Sequence, residues 1–164
     1  MRPVRVRPAE PADRAAVDAL HDREWGGPEV VVHGDRYDLR VLPTLVAVAT
    51  GRVEGALVWH VAGDSLEVVS LVARQPGGGA GLALLRAAAT VGRDRRLGRL
   101  WLVTTNDNLP ALRFYQRRGL RIVEVRPGAV DLARRLKPNI PTVGLDGIPL
   151  HDELVLEQRL DGGR

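Results

Sequence analysis

Apolar and polar positions change period along this chain, and the changes mark out its elements. Val4, Val6 and Pro8 alternate with Arg5 and Arg7, the period-two pattern of a short half-buried strand. Pro11 suits the first turn of a helix running to about Asp22, with Ala16, Val17 and Leu20 on its apolar face. From Trp25 to Leu42 the pattern breaks up through Gly26-Gly27-Pro28, Val30-Val31-Val32 and the polar run His33 to Asp38. A loop with at most a short helix is expected there, placed to act as a substrate lid. Thr44 to Ala49, Val53 to Val61 and Ser65 to Ala73 are β-branched runs joined at Thr50-Gly51 and Gly63-Asp64, which predicts consecutive antiparallel strands.

The stretch Leu66 to Leu85 changes character twice. An apolar run ends at Arg74, a glycine-rich turn follows through Gly81, and an Ala/Leu helix continues to about Arg95. Leu100 to Val103 then reads as a buried strand, and the strand, loop, helix, strand order requires a parallel crossover. Asn108 is a good N-cap, Pro110 fits a first turn, and Gly119 stops that helix before a strand from Leu120 to Val125. Pro127 to Leu136 reads as a short helix, Lys137 to Pro149 as a long connection, and Leu154 to Leu160 as a last strand. With 164 residues and 45% apolar content the chain can build one sizeable core, so one domain over 1–164 is expected.

Composition removes several chemistries. There is no cysteine, which excludes disulfides, thiolate metal ligands and a cysteine nucleophile. His21, His33, His60 and His151 are scattered, so no metal site is expected and each reads as a surface or satisfied histidine. The first residues are charged and interrupted by prolines, neither a signal peptide nor a membrane span, which points to a cytoplasmic protein without a membrane partner. The net charge of +4 favours anionic ligands, but arginines alternate with acids and form no nucleic-acid surface.

Gly77, Gly78, Gly79 and Gly81 carry no β-carbon, so a ligand can approach the backbone while the amides opening the helix converge on it. Such a turn suits a pyrophosphate. A P-loop would need Gly-Lys-Ser/Thr where this chain has Ala80-Gly81-Leu82. A dinucleotide fingerprint would need a glycine at Leu82, after a strand that opens a βαβ unit rather than one that closes a meander.

A strand meander, glycine loop, helix and strand, followed by Asn108, Ala111, Phe114, Tyr115 and Gly119 in the pattern N-x-x-A-x-x-F-Y-x-x-x-G, resembles the GCN5-related N-acetyltransferase (GNAT) superfamily over nearly the whole chain. The resemblance implies an α/β (α+β) fold: a central mixed, mostly antiparallel twisted sheet of about seven strands flanked by helices. It implies acetyl-CoA as cosubstrate and no metal. Pantetheine would run beside Leu71, Val72 and Ala73, the pyrophosphate would meet Gln75, Gly77, Gly78, Gly79, Ala80, Gly81 and Leu82, and Asn108, Ala111 and Phe114 would complete the cofactor site. Two loop registers are open, Gly78-x-Ala80 and Gly79-x-Gly81.

A strand amide beside the thioester can stabilise the oxyanion formed on direct amine attack. The resemblance makes Tyr115 the acid for the leaving thiolate, its reference pKa of about 10 exceeding the thiol's about 8.5. Asn108 and Tyr115 share one helix face. Glu67 is the candidate base, directly or through water, and its even spacing from Leu71 puts both on one strand face. Asp152 and Glu153 flank the final strand, where they are placed to meet a cationic acceptor; the plainer readings are strand-end charges for these two, core packing for Tyr115 and a solvated strand carboxylate for Glu67. The implied activity is transfer of acetyl to a primary amine of a small-molecule acceptor. The alternatives are a protein or peptide N-acetyltransferase, whose groove would be open at both ends, and a non-catalytic acyl-CoA-binding module. A homodimer is left open.

Overall fold

The computed structural model describes residues 3–162. In chain order its elements are β1 (Arg5–Pro8), α1 (Arg14–Trp25), β2 (Glu29–Val32), β3 (Asp35–Asp38), β4 (Thr44–Ala49), β5 (Arg52–Ala62), β6 (Ser65–Ala73), α2 (Ala80–Asp94), β7 (Arg99–Thr105), α3 (Leu109–Arg117), β8 (Arg121–Arg126), α4 (Ala129–Leu136) and β9 (Glu153–Arg159). Seven strands form one sheet in the order β1-β4-β5-β6-β7-β9-β8, and β2 and β3 pair separately. Within the large sheet only β6 and β7 run parallel, because α2 carries the chain back across the sheet between them.

Two expectations are corrected at the amino-terminal end. Pro11–Asp13 form a single 3-10 turn, with the Asp13 carboxylate accepting from the Glu10 N–H at 2.7 Å, so the α-helix proper starts at Arg14 and reaches Trp25. The segment from Trp25 to Leu42 is not a loop with a short helix. It is the β2–β3 hairpin, turned by His33 and Gly34 at φ 44 and 84. Two left-handed residues in succession match the twist of a two-residue hairpin, and histidine is among the side chains that tolerate that conformation.

The sheet buries both faces. On one, α2 and α3 cover Leu57, Leu66, Leu100 and Leu156, with Leu84 of α2 fully buried among them. Gly55 lets α2 sit this close, since a β-carbon there would lie 3.1 Å from Leu84 Cδ1 and 2.9 Å from the Val72 carbonyl oxygen. On the other face α1 places Val17 and Leu20 against Val46, Ala56 and Val72, and the hairpin places Val30 over Val58.

An irregularity in β6 decides which side chains share a face. Ser70 pairs with Val58 and Val68 with Trp59, so the intervening Val69 is an extra residue, a β-bulge. The bulge reverses the alternation: Leu66 and Val68 before it, and Leu71 and Ala73 after it, all pack toward α2. Glu67 therefore faces the hairpin side while Leu71 faces α2, and the expectation that even spacing keeps them on one face is overturned.

Candidate active site

Past the bulge, β6 and β7 part. Their pairing stops at Val68 and Leu102, after which β6 keeps only β5 and β7 keeps only β9, leaving a wedge between them. Arg74 N–H donates to the Glu54 carbonyl at 2.8 Å, which fixes the hydrogen-bonding phase along β6. In that phase Val72 faces β5, and the amides of Leu71 and Ala73 point away from it toward the wedge. Exposed strand amides beside an open gap are donors in want of an acceptor.

The wedge leads to the glycine turn. Gln75, Gly77 and Gly78 lie exposed at the surface, and Gly79 is the N-cap of α2 with φ 88. The first bond inside the helix runs from the Ala83 N–H to the Gly79 carbonyl, so the amides of Ala80, Gly81 and Leu82 have no intrahelical partner. Ala80 turns its methyl into the core, and a β-carbon on Gly81 would stand 3.4 Å from Phe114 Cζ, so Gly81 lets α3 pack against the start of α2. Free amides, the helix dipole and an absence of side chains together suit a pyrophosphate.

Asn108 caps α3, its Oδ1 accepting from the Ala111 N–H at 3.2 Å. Ala111 and Phe114 are half-buried on the α2 side, and Phe114 meets the Tyr115 ring edge-on at 5.3 Å. Tyr115 is buried, yet none of the hydrogen bonds among the described residues engages its hydroxyl. Burial, and then the charge of Glu24, raise its pKa, so it stays a neutral donor. Glu24 belongs to α1.

Glu67 is no solvated carboxylate. It is 3% exposed, and its oxygens are taken by His33 Nε2 at 2.6 Å and by the Tyr37 hydroxyl at 3.0 Å. The same histidine points Nδ1 at Asp35, 3.2 Å away, and donates its main-chain N–H to both oxygens of Glu153 at 3.1 and 3.2 Å. Burial opposes a charged His33, but the Glu67 hydrogen bond and the Glu67 and Asp35 charges outweigh it and raise its pKa. Burial raises Tyr37, with Glu67 adding to the effect, and burial raises Glu153 against the pull of His33. His33 and Glu153, read from the sequence as a surface or satisfied histidine and a strand-end charge, are thus central to a buried network.

A histidine raised on folding stabilises fully below its unfolded value of about 6.5 and loses that contribution as pH climbs through the folded value. Urea unfolding of the wild type and of His33→Gln is therefore expected to differ most below about pH 6. The two curves should converge in alkali, and a constant gap across pH would show that the His33 charge is not involved.

Beside this network lies a cavity of about 590 Å³, bounded by β2, the bulge residue Val69, Val103 to Thr105 of β7, the 137–149 connection and Glu153. The connection is fastened across it. Asn106 donates to the Pro149 carbonyl at 2.8 Å and accepts from the His151 and Asp152 amides, while buried Asp107 accepts from the Leu145 N–H at 3.0 Å. Lys137, whose pKa is lowered by burial, ties the end of α4 to the Trp25 and Glu29 carbonyls at 2.8 and 2.7 Å. No helix among the described residues is long and apolar enough to cross a membrane.

The Acetyltransferase (GNAT) family model matches residues 8–120. An uncharacterized Bacillus subtilis protein, YdhI, is 35% identical over 140 residues, covering 85% of this chain and 88% of its own. The streptothricin acetyltransferase of Streptomyces lavendulae is 36% identical over 114 residues, covering 66% of this chain and 59% of its own. In structure, a Bacillus subtilis acetyltransferase solved in complex with CoA superposes with a TM-score of 0.69 at 15% identity, covering 96% of this chain and 99% of that one.

Proposed function

Because the chain belongs to the acetyltransferase (GNAT) family and is an acetyl-CoA-dependent acetyltransferase, we propose that it acetylates a primary amine of a small molecule by direct transfer. The observation that carries the small-molecule reading is a cavity of about 590 Å³ walled on one side by the 137–149 connection. Asn106, Asp107 and Lys137 fasten the 137–149 connection over it, where a peptide acceptor needs a groove open at both ends. Streptothricin acetyltransferase, a relative by sequence, is named for a small molecule and supports the same reading.

Acetyl-CoA supplies the activated thioester. In this proposal the first-turn amides of α2 and the glycine turn hold its pyrophosphate, and a wedge-facing amide of Leu71 or Ala73 donates to the thioester carbonyl oxygen. Glu67, directly or through water, takes the proton that the acceptor ammonium must lose before its nitrogen forms the new C–N bond. Tyr115 donates its hydroxyl proton to the sulfur as the C–S bond breaks.

Gly79→Val tests the phosphate cradle, because a β-branched side chain at φ 88 is strained at the residue that opens α2 and sets the direction of its first amides. The variant should melt somewhat below the wild type and lose the thermal stabilisation that CoA confers. Full stabilisation by CoA would move the phosphates elsewhere. The reading as a whole is tested by incubation with acetyl-CoA and either small amines or peptides, with release of free thiol as the readout. Release with small amines is expected; release with peptides alone, or binding without turnover, would replace it.

A further inference from the structure

Glu67 and Glu153 are both 3% exposed, and among the described residues one side chain brings positive charge into hydrogen-bonding contact with the pair. That side chain is His33, whose Nε2 meets Glu67 and whose main-chain N–H alone serves both oxygens of Glu153. Arg126 acts on Glu153 only at longer range, its guanidinium being held by Glu124 at 3.1 Å on both arms. Tyr37 adds a neutral donor and Asp35 a further negative charge. With one imidazolium in contact with two buried carboxylates, Glu153 has no cationic partner at hydrogen-bonding distance and burial raises its pKa, so a cation supplied from the cavity would hold it ionised.

The two carboxylates are not equivalent with respect to the cavity. Glu67 stands behind His33 and Tyr37, whereas Glu153 lines the cavity wall, with lone pairs left after its single donor. Much of the rest of that wall is aliphatic, including Val30, Val32 and Val103; of its other charged groups Asp107 is engaged by the Leu145 N–H and Lys137 by two carbonyls, and Glu24 is the remaining carboxylate. We propose that Glu153 seats a second, non-reacting cationic nitrogen of the acceptor, so that the acceptor class is a diamine-like compound carrying two protonated amines on an apolar body. This rests on the small-amine reading above. One nitrogen loses its proton and is acetylated; the other keeps its charge and pairs with Glu153. A carboxylate-bearing amine is excluded by repulsion from the same group.

Three probes of matched length separate the outcomes: hexylamine, hexamethylenediamine and ε-aminocaproate, each with acetyl-CoA and thiol release as the readout. The wild type should show a KM for the diamine about tenfold or more below that for hexylamine, and no turnover of aminocaproate. In Glu153→Gln the diamine-to-monoamine KM ratio should fall to about one, while Glu153→Asp retains part of the preference. Stabilisation by CoA reports whether each variant is folded, and if Glu153→Gln is not, the wild-type ranking of the three probes decides. Equal KM values in the wild type, or a preference that survives in Glu153→Gln, overturn the assignment of Glu153 alone. Absence of thiol release with all three, while acetyl-CoA still stabilises the protein, overturns the small-amine reading and this proposal with it.

Discussion

Tyr115→Phe should lower turnover about a hundredfold or more while leaving the affinity for acetyl-CoA unchanged. The magnitude is that of a general acid removed from a step in which a thiolate departs. Several features of the structure argue for the effect. The hydroxyl engages no other described group, so its proton is available, and burial keeps it protonated across the working pH range. The ring is packed against Phe114, so phenylalanine keeps the packing and deletes only the oxygen. Steady-state rates, with acetyl-CoA binding followed by calorimetry, make the comparison. Unchanged turnover would reduce Tyr115 to a core residue.

Glu67→Gln should be comparably damaging, with a loss of about two orders of magnitude in kcat and little change in KM for acetyl-CoA. Glutamine retains the shape of the side chain and can still accept from Tyr37, but it cannot take up a proton. His33 would also lose the negative charge that raises its pKa, so the variant's activity should fail over a wider range of pH than the packing change alone would explain. A variant with wild-type kcat would leave Glu67 as an anchor for the hairpin and nothing more. The two substitutions act on opposite faces of the sheet, on either side of the wedge, and their effects address different proton transfers.

The parts of the fold carried by local periodicity were legible in the residues. Thr44 to Ala73 reads as a meander because β-branched runs alternate with glycine turns, and α3 reads clearly because Asn108, Pro110 and Gly119 are start and stop signals in their proper places. The hairpin was not legible. Its strands are only four residues each, and its turn is His33-Gly34 rather than Asn-Gly or Asp-Gly. The tolerance of histidine for the left-handed conformation, with glycine next, was the one available signal.

Site residues divide along the same line. The glycine turn and the α3 motif lie in short contiguous segments, so their composition announces them. Glu67 stands out in the sequence but its orientation does not, because a β-bulge is a backbone event that leaves no mark in the alternation of Val68, Val69 and Ser70. Its partners were beyond local reading altogether. His33 lies 34 residues from Glu67 and 120 from Glu153, and the three meet because the β2–β3 hairpin folds over the sheet. The clamps on the 137–149 connection are of the same kind, built from Asn106 and Asp107, which otherwise read as ordinary turn residues.

Direct transfer to a small amine is tested most plainly by the fate of the acetyl group. Acetyl-CoA carrying an isotopic label in its acetyl carbons, incubated with the enzyme and hexamethylenediamine, can be followed by mass spectrometry of both the small molecules and the intact protein. The label is expected in a monoacetylated diamine, with thiol released in equal amount and no labelled protein at any time. Label trapped on a side chain of the enzyme, or released as free acetate with the diamine unchanged, would contradict it.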